Sequence, residues 1–189
     1  MENASLLIAF FSHPGQNYVN GNIVDLPVGN TEVAAQKLAA ITGARLLRIE
    51  QRETYPPDYH ALTEVGKKEL KAGARPALKT ALPDMAAVRH LFLGYPNWWG
   101  TMPMPVWTFL EALPTGGKKI APFCTNEGSG MGTSEKDLRK LCPGAEVLPG
   151  LAITGHKVQE ADALLQAWAR QILPGGNCEG GGASGGALS

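Results

Sequence analysis

A chain of 189 residues with 44% hydrophobic content is long enough for one domain with a sizeable core. Its 17 basic and 17 acidic side chains cancel, so no global field recruits nucleic acid or an anionic membrane. Cys124, Cys142 and Cys178 are far apart with no CxxC spacing, which argues against a disulfide framework and a zinc site and favours a reducing cytoplasm.

The N-terminus carries no basic leader, and the apolar run over residues 6–11 is too short for a signal-peptide core or a membrane span. It reads as a first strand, apolar on both faces like a central parallel strand covered by helices. Ser12-His13-Pro14-Gly15 breaks it. Asn20-Gly21, set between Tyr18-Val19 and Ile23-Val24, then signals a hairpin inserted over about residues 16–28. A helix follows from Gly29-Asn30-Thr31, with Asn30 or Thr31 as its cap, Ala34, Leu38 and Ile41 buried, and Gly43 as its stop. Residues 45–49 form the second strand. Asp58 caps a helix whose stripe of Leu62, Val65 and Leu70 runs to Ala72, after which residues 73–84 wander over the surface.

The most informative stretch is residues 91–113. Leu91, Phe92 and Leu93 read as a buried strand, followed by a loop holding Pro96, Asn97, Trp98, Trp99, Gly100 and Pro103. Val106, Phe109, Leu110 and Leu113 then recur at i, i+3, i+4, i+7, one face of a helix. Adjacent tryptophans are costly to leave in water, so a flat ligand is expected over at least one. The alternative is that one fills the core under the loop while the other is a subunit contact.

Residues 119–125 form a fourth strand ending in a glycine-rich loop, and Ser134 with Asp137 resembles a capping box for a short helix carrying Leu138 and Leu141. Residues 147–154 supply a fifth strand, with Pro149 and Gly150 making its start irregular. Val158, Ala161, Leu165, Trp168 and Ile172 make one face of a last helix. The domain is expected to span residues 1–174, because 175–189 lacks the apolar groups to offset chain entropy and reads as a disordered tail.

Strands alternating with helices imply an α/β protein, a three-layer α/β/α sandwich around a five-stranded parallel sheet. Ligands bind such sheets at the carboxyl ends of the strands, where three loops should meet. Ser12, Asn30 and Thr31 in the first can receive an anion such as a phosphate monoester, or merely cap a helix. Trp98 or Trp99 in the second can stack on a planar heterocycle, with Gly100 letting backbone approach its edge. Asn126, Glu127, Gly128, Ser129 and Gly130 in the third can bond the same ring's polar edge, or form a plain turn. His13, beside the first loop, can approach a bound ligand but reads first as loop packing, and Lys67, Lys68 and Lys71 read as a solvated helix face.

These residues resemble the flavodoxin-like family, in its branch with a WWG loop. Ser12 and Gly29-Asn30-Thr31 are similar to that family's S/T-x-T-G-N-T phosphate loop, here split by the hairpin insertion. Pro96-Asn97-Trp98-Trp99-Gly100, followed by Met102-Pro103, resembles its isoalloxazine-stacking loop, and Thr125 to Gly130 resembles its third loop. The resemblance implies strand order 2-1-3-4-5 and non-covalently bound FMN. Ser12, Asn30 and Thr31 would then hold the phosphate, Trp98 or Trp99 would pack on the ring, and residues 125–130 would line its edge.

Electron transfer through FMN is the expected function, either as a carrier for a redox partner protein or as an NAD(P)H-dependent reductase of a quinone or similar small acceptor. Electron-shuttling flavodoxins are usually acidic, and this neutral chain departs from them. A flavin-free binding module on the same scaffold is the alternative from another class. A hydrolase built on Ser129 and His156 lacks the G-x-S-x-G pattern and an evident acid partner. No catalytic or metal-ligating residue is assigned, and the Trp loop and hairpin are the candidate surfaces for a homodimer.

Overall fold

The computed structural model describes residues 3–173; the 175–189 segment, with Cys178, lies outside them. Strand β1 (Asn3–Phe10) is followed by a hairpin of β2 (Gly15–Val19) and β3 (Asn22–Leu26), then by helix α1 (Asn30–Thr42) and β4 (Ala44–Arg48). Helix α2 (Tyr59–Ala72), β5 (His90–Pro96), α3 (Met104–Glu111), β6 (Lys119–Asn126) and α4 (Ser134–Leu141) come next. Short strands β7 (Glu146–Val147) and β8 (Leu151–Thr154), a 3-10 helix (Gly155–Glu160) and α5 (Asp162–Ile172) complete the domain.

The main sheet runs β4-β1-β5-β6, with β7 and β8 both pairing the outer edge of β6, and every pairing in it is parallel. With the hairpin set aside and β7 and β8 counted as one interrupted strand, this is the flavodoxin-like order 2-1-3-4-5. The interruption falls at Pro149, which has no N–H for the ladder, and at Gly150, whose N–H is taken instead by Glu135 Oε1 of α4 at 2.8 Å.

Alternation along the strands divides the core in two. Leu7, Leu91, Leu93, Tyr95, Ile120 and Cys124 join one buried cluster with residues of α2, α3 and α4. Ile8, Phe10, Phe92, Phe123 and Ile153 join the other with α1 and α5. Central strands therefore bury both faces, which is why they read as unbroken apolar runs. Gly94 is needed in β5 because a side chain there would sit 2.3 Å from the Phe123 ring.

β2 and β3 form a separate antiparallel sheet. Asn20 and Gly21 at its turn have φ of 44° and 90°, the positive pair that a two-residue hairpin of I′ type requires.

Three local expectations need correction. Neither Asn30 nor Thr31 caps α1: Gly29 occupies the cap, and the donor a cap would satisfy, the Glu32 N–H, reaches Ser12 Oγ across the insertion at 3.1 Å. Ser134 is the first residue of α4 rather than its cap; it is fully buried and its hydroxyl bonds Tyr95 Oη and the Met131 carbonyl. The last helix is broken at Ala161 into a 3-10 turn and α5, although the five apolar residues expected on its face are all buried. Among the described residues no helix is long and apolar enough to cross a membrane, and no group of His, Cys, Asp or Glu could hold a metal ion.

Candidate functional site

The parallel strands end at one edge, and the loops leaving them converge there. At the start of α1 the first N–H groups of the helix have no intrahelical acceptor. Ser12 Oγ and the Gly29 carbonyl take the Glu32 N–H, and the Asn30 and Thr31 amides, at the positive end of the helix dipole, find no acceptor among the described residues. Thr31 Oγ1 lies 2.7 Å from Thr125 Oγ1, and both residues are buried. One hydrogen bond joins two hydroxyls, so one O–H remains to donate to an anion.

The Trp loop is a tight turn. Trp98 N–H donates to the Thr101 carbonyl and Thr101 N–H to that of Trp98, at 2.9 and 3.2 Å. Between them Trp99 and Gly100 have φ of 56° and 86°, a conformation that a bulky aromatic adopts only under constraint. The two rings part company there. Trp98 packs inward, edge-on to Phe11 and Tyr55 at 5.4 and 5.3 Å, against the bare backbone of Gly66, where a Cβ would meet its ring at 3.2 Å. Trp99 stays 49% exposed, its indole N–H bonded to the Thr63 carbonyl at 2.9 Å and the Lys67 ammonium 4.9 Å from its ring centre.

The third loop is braced by two asparagines. Asn126 Oδ1 accepts the Gly128 and Gly130 N–H groups at 2.9 and 3.0 Å. Asn97 ties this loop to the Trp turn, its Nδ2 donating to the Gly130 carbonyl while Oδ1 accepts Gly100 N–H. Gly132 approaches so closely that a Cβ would fall 2.1 Å from the Gly100 carbonyl oxygen. Glu127 is a hub: its carboxylate accepts the N–H groups of Asn20, at the hairpin tip, and of His156, and it hydrogen-bonds His156 Nδ1 at 2.7 Å. His156 thus has an acid partner that the sequence did not suggest, but no hydrogen bond joins it to Ser129 among the described residues.

These loops enclose a cleft of about 470 Å³. Of the candidate site residues, Asn30, Thr31, Pro96, Asn97, Trp98, Trp99, Thr125, Asn126, Glu127 and Ser129 line it. Ser12, Gly100, Gly128 and Gly130 are not among its lining residues: Ser12 Oγ accepts the Glu32 N–H of α1, and the three glycine N–H groups are taken by Asn97 and Asn126. Other parts of the chain add lining that the motifs did not indicate: Asn17 and Tyr18 of the hairpin, Tyr59, Leu62, Thr63 and Gly66 of α2, His13 and Gly155. Of these, His13 carried a signal from its place beside the candidate phosphate loop, and Tyr18 was marked only as part of the hairpin. His13 stands edge-on to Trp98 at 6.3 Å with Nε2 buried and unpartnered. Burial, and then the nearby Arg48 guanidinium, hold its pKa below the usual histidine value.

Residues 26–172, most of the chain, match the flavodoxin family. The chain belongs to that family. The match begins at the last residue of β3, so most of the hairpin lies outside it. This flavodoxin-family chain superposes on a candidate flavoprotein from Bacteroides eggerthii with a TM-score of 0.70 and 28% identity, over 89% of this chain and 97% of the other. A candidate flavoprotein from Bacteroides uniformis gives 0.70 and 24% over 88% and 97%. A flavoprotein in complex with FMN from Lactobacillus acidophilus has the same fold at a TM-score of 0.62 and 18% identity, over 82% and 97%. A search of curated proteins finds no match.

Proposed function

We propose that this chain binds FMN without a covalent bond in the cleft and passes electrons through it. The observation that carries the reading is the convergence, in one cleft, of unpaired α1 amides with a spare threonine O–H at one end and tryptophan rings at the other. Family membership supports FMN as the cofactor. Asn30, Thr31 and Thr125 fit a phosphate, offering donors at a helix N-terminus, and the Trp loop fits a flat ring. When bound, FMN supplies one- and two-electron transfer.

The protein's own residues do the holding. Asn97 and Asn126 fix the Trp and glycine loops with hydrogen bonds already made, so little ordering cost remains for the ligand to meet. Glu127 lines the cleft, but its oxygens already accept protein donors, which leaves a positioning role for it. Trp98, packed on Phe11 and Tyr55, is a rigid wall that excludes water. Leu62 and Gly66 of α2 continue that wall.

A second reading within the class, an NAD(P)H-dependent reductase of a small acceptor, is favoured over a protein-partner carrier by the zero net charge. A zero total supplies no net charge to steer a charged protein from a distance. The test is visible absorbance of the purified protein titrated with FMN, followed by anaerobic NADPH. Bound flavin bands that bleach with NADPH alone support the reductase; bands that persist until a reductase protein is added support the carrier. Absence of FMN binding overturns both and leaves the flavin-free binding module.

A further inference from the structure

We infer that the β2–β3 hairpin is a strap that opens and closes as one unit to admit and release the ligand, with Gln16 as a positioning residue that sets the rate of exchange. The inference rests on the reading that FMN occupies the cleft, and it adds how exchange of that ligand is controlled. The hairpin leaves the body after β1 and returns before α1, yet it is fastened to both sides of the cleft. Gln16 Oε1 accepts the N–H of Tyr59, the first residue of α2, at 2.9 Å. At the tip, the Asn20 N–H donates to Glu127 Oε2 of the third loop at 3.1 Å. Between these two latches Tyr18 stacks on Tyr59 with ring centres 6.4 Å apart, and Asn17 and Tyr18 line the cleft.

Little else holds the hairpin down. No residue from Pro14 to Val28 is buried, and none joins either core cluster. Among the described residues, its hydrogen bonds to the rest of the chain are the two latches and the bond of Asn17 Nδ2 to the His13 carbonyl at its root. Segments with so few buried contacts open at a small fraction of the cost of global unfolding.

The root is a narrow neck. Gly15 has φ of 90° on the outgoing side. On the returning side Gly29 is pressed so closely against the outgoing chain that a Cβ would lie 2.3 Å from Ser12 Oγ and 2.7 Å from the His13 carbonyl oxygen. Torsional changes at a few such residues swing everything beyond them. Gln16 is not among the cleft-lining residues, so its effect on a ligand runs through the hairpin. A latch equally strong with and without ligand slows entry and exit by the same factor and leaves affinity unchanged.

The test combines hydrogen exchange on the ligand-free protein with stopped-flow mixing with FMN. Gln16→Ala removes the α2 latch and leaves Glu127 in place. If the hairpin moves as one unit, the Asn20 amide, bonded to the opposite wall, should lose about three- to tenfold of its protection, while the amides of β5 keep theirs. The same variant should bind and release FMN about three- to tenfold faster, with affinity within about twofold of wild type. Gln16→Glu, which keeps an acceptor for the Tyr59 N–H, should hold both readouts near wild type. Unchanged Asn20 protection in Gln16→Ala, or a loss shared equally by β5, overturns the inference. So does faster release with unaltered association, which is the result a fixed wall gives. Failure of wild type to bind FMN strikes the cofactor reading instead, and the exchange measurement on that sample still decides the strap.

Discussion

The Thr31–Thr125 pair allows ligand affinity and fold stability to be separated by one set of substitutions. Thr31→Val keeps the side-chain volume and removes a hydroxyl from a residue that is 2% exposed and lies 2.7 Å from Thr125 Oγ1. Two costs follow. Loss of a donor to a phosphate dianion is worth about 1.5–3 kcal/mol, roughly 10- to 150-fold in FMN affinity. Riboflavin has no phosphate, so its affinity should change by less than about threefold, the scatter expected for an uninvolved polar group. Separately, the buried Thr125 hydroxyl is left without its partner, which costs the ligand-free fold about 1–3 kcal/mol. Adding Thr125→Val removes the orphan and should restore stability, since replacing both partners by apolar groups of like shape is nearly neutral. It should leave FMN affinity as poor or poorer. Fluorescence titrations with both flavins and urea unfolding of the ligand-free proteins give each of these quantities. Equal losses for FMN and riboflavin, or recovery of FMN affinity in the double variant, would refute a phosphate site at this end of the cleft.

The two tryptophans should separate in the same assays. Trp98→Ala removes a ring packed on Phe11, Tyr55 and Gly66 and is expected to cost about 3 kcal/mol of stability, whereas Trp99→Gly relieves a positive φ and should stay within about 1 kcal/mol of wild type; equal losses would contradict the division of labour. Gly132→Ala forces a Cβ to 2.1 Å from the Gly100 carbonyl oxygen at a φ of 55°, so a drop in FMN affinity of at least about tenfold is expected, and near-normal binding would show that the two loops need not meet. Glu127→Ala should release the amides of Asn20 and His156 to hydrogen exchange, with unchanged protection counting against the hub. His13 is held neutral in the folded protein by burial and then by Arg48, so the folded state binds fewer protons than the unfolded chain. Its contribution is complete above the unfolded value of 6.5 and is lost as pH falls from there towards the lowered folded value. His13→Gln should flatten the fall in urea midpoint between about pH 7.5 and 5.5, leaving the parallel part due to His90, also lowered by burial; an unaltered slope would refute this.

What the sequence disclosed was whatever depends on neighbours along the chain. Asn20-Gly21 announced its turn because only residues tolerant of positive φ suit it, and Asp58 announced α2 because its acceptor, at 2.8 Å from the Ala61 N–H, is local. The Trp and glycine loops were found because glycine, proline and tryptophan are unusual company for a strand end. Capping of α1 was misread because the oxygen involved belongs to Ser12, beyond the hairpin insertion and 20 positions from its donor. The α2 face of the cleft was missed for a similar reason. Thr63 and Gly66 are ordinary helix residues until the Trp loop is laid against them, Gly66 because no side chain fits under Trp98. The acid partner of His156 was within reach: in parallel strands β6 and β8, Asn126 pairs with Thr154, so the residues just beyond them must emerge side by side.

The two ends of the cleft are built on different physics, and this bears on how the protein can change. The end proposed for the phosphate depends on hydrogen bonds whose partners come from α1, β6 and the loops after β5 and β6. The aromatic end depends on the tryptophan rings set against α2, with Gln16, Asn17 and Glu127 among the polar ties that hold the hairpin beside it. Partly satisfied polar networks are costly, whereas exposed aromatic surfaces exchange one ring for another with little effect on the core.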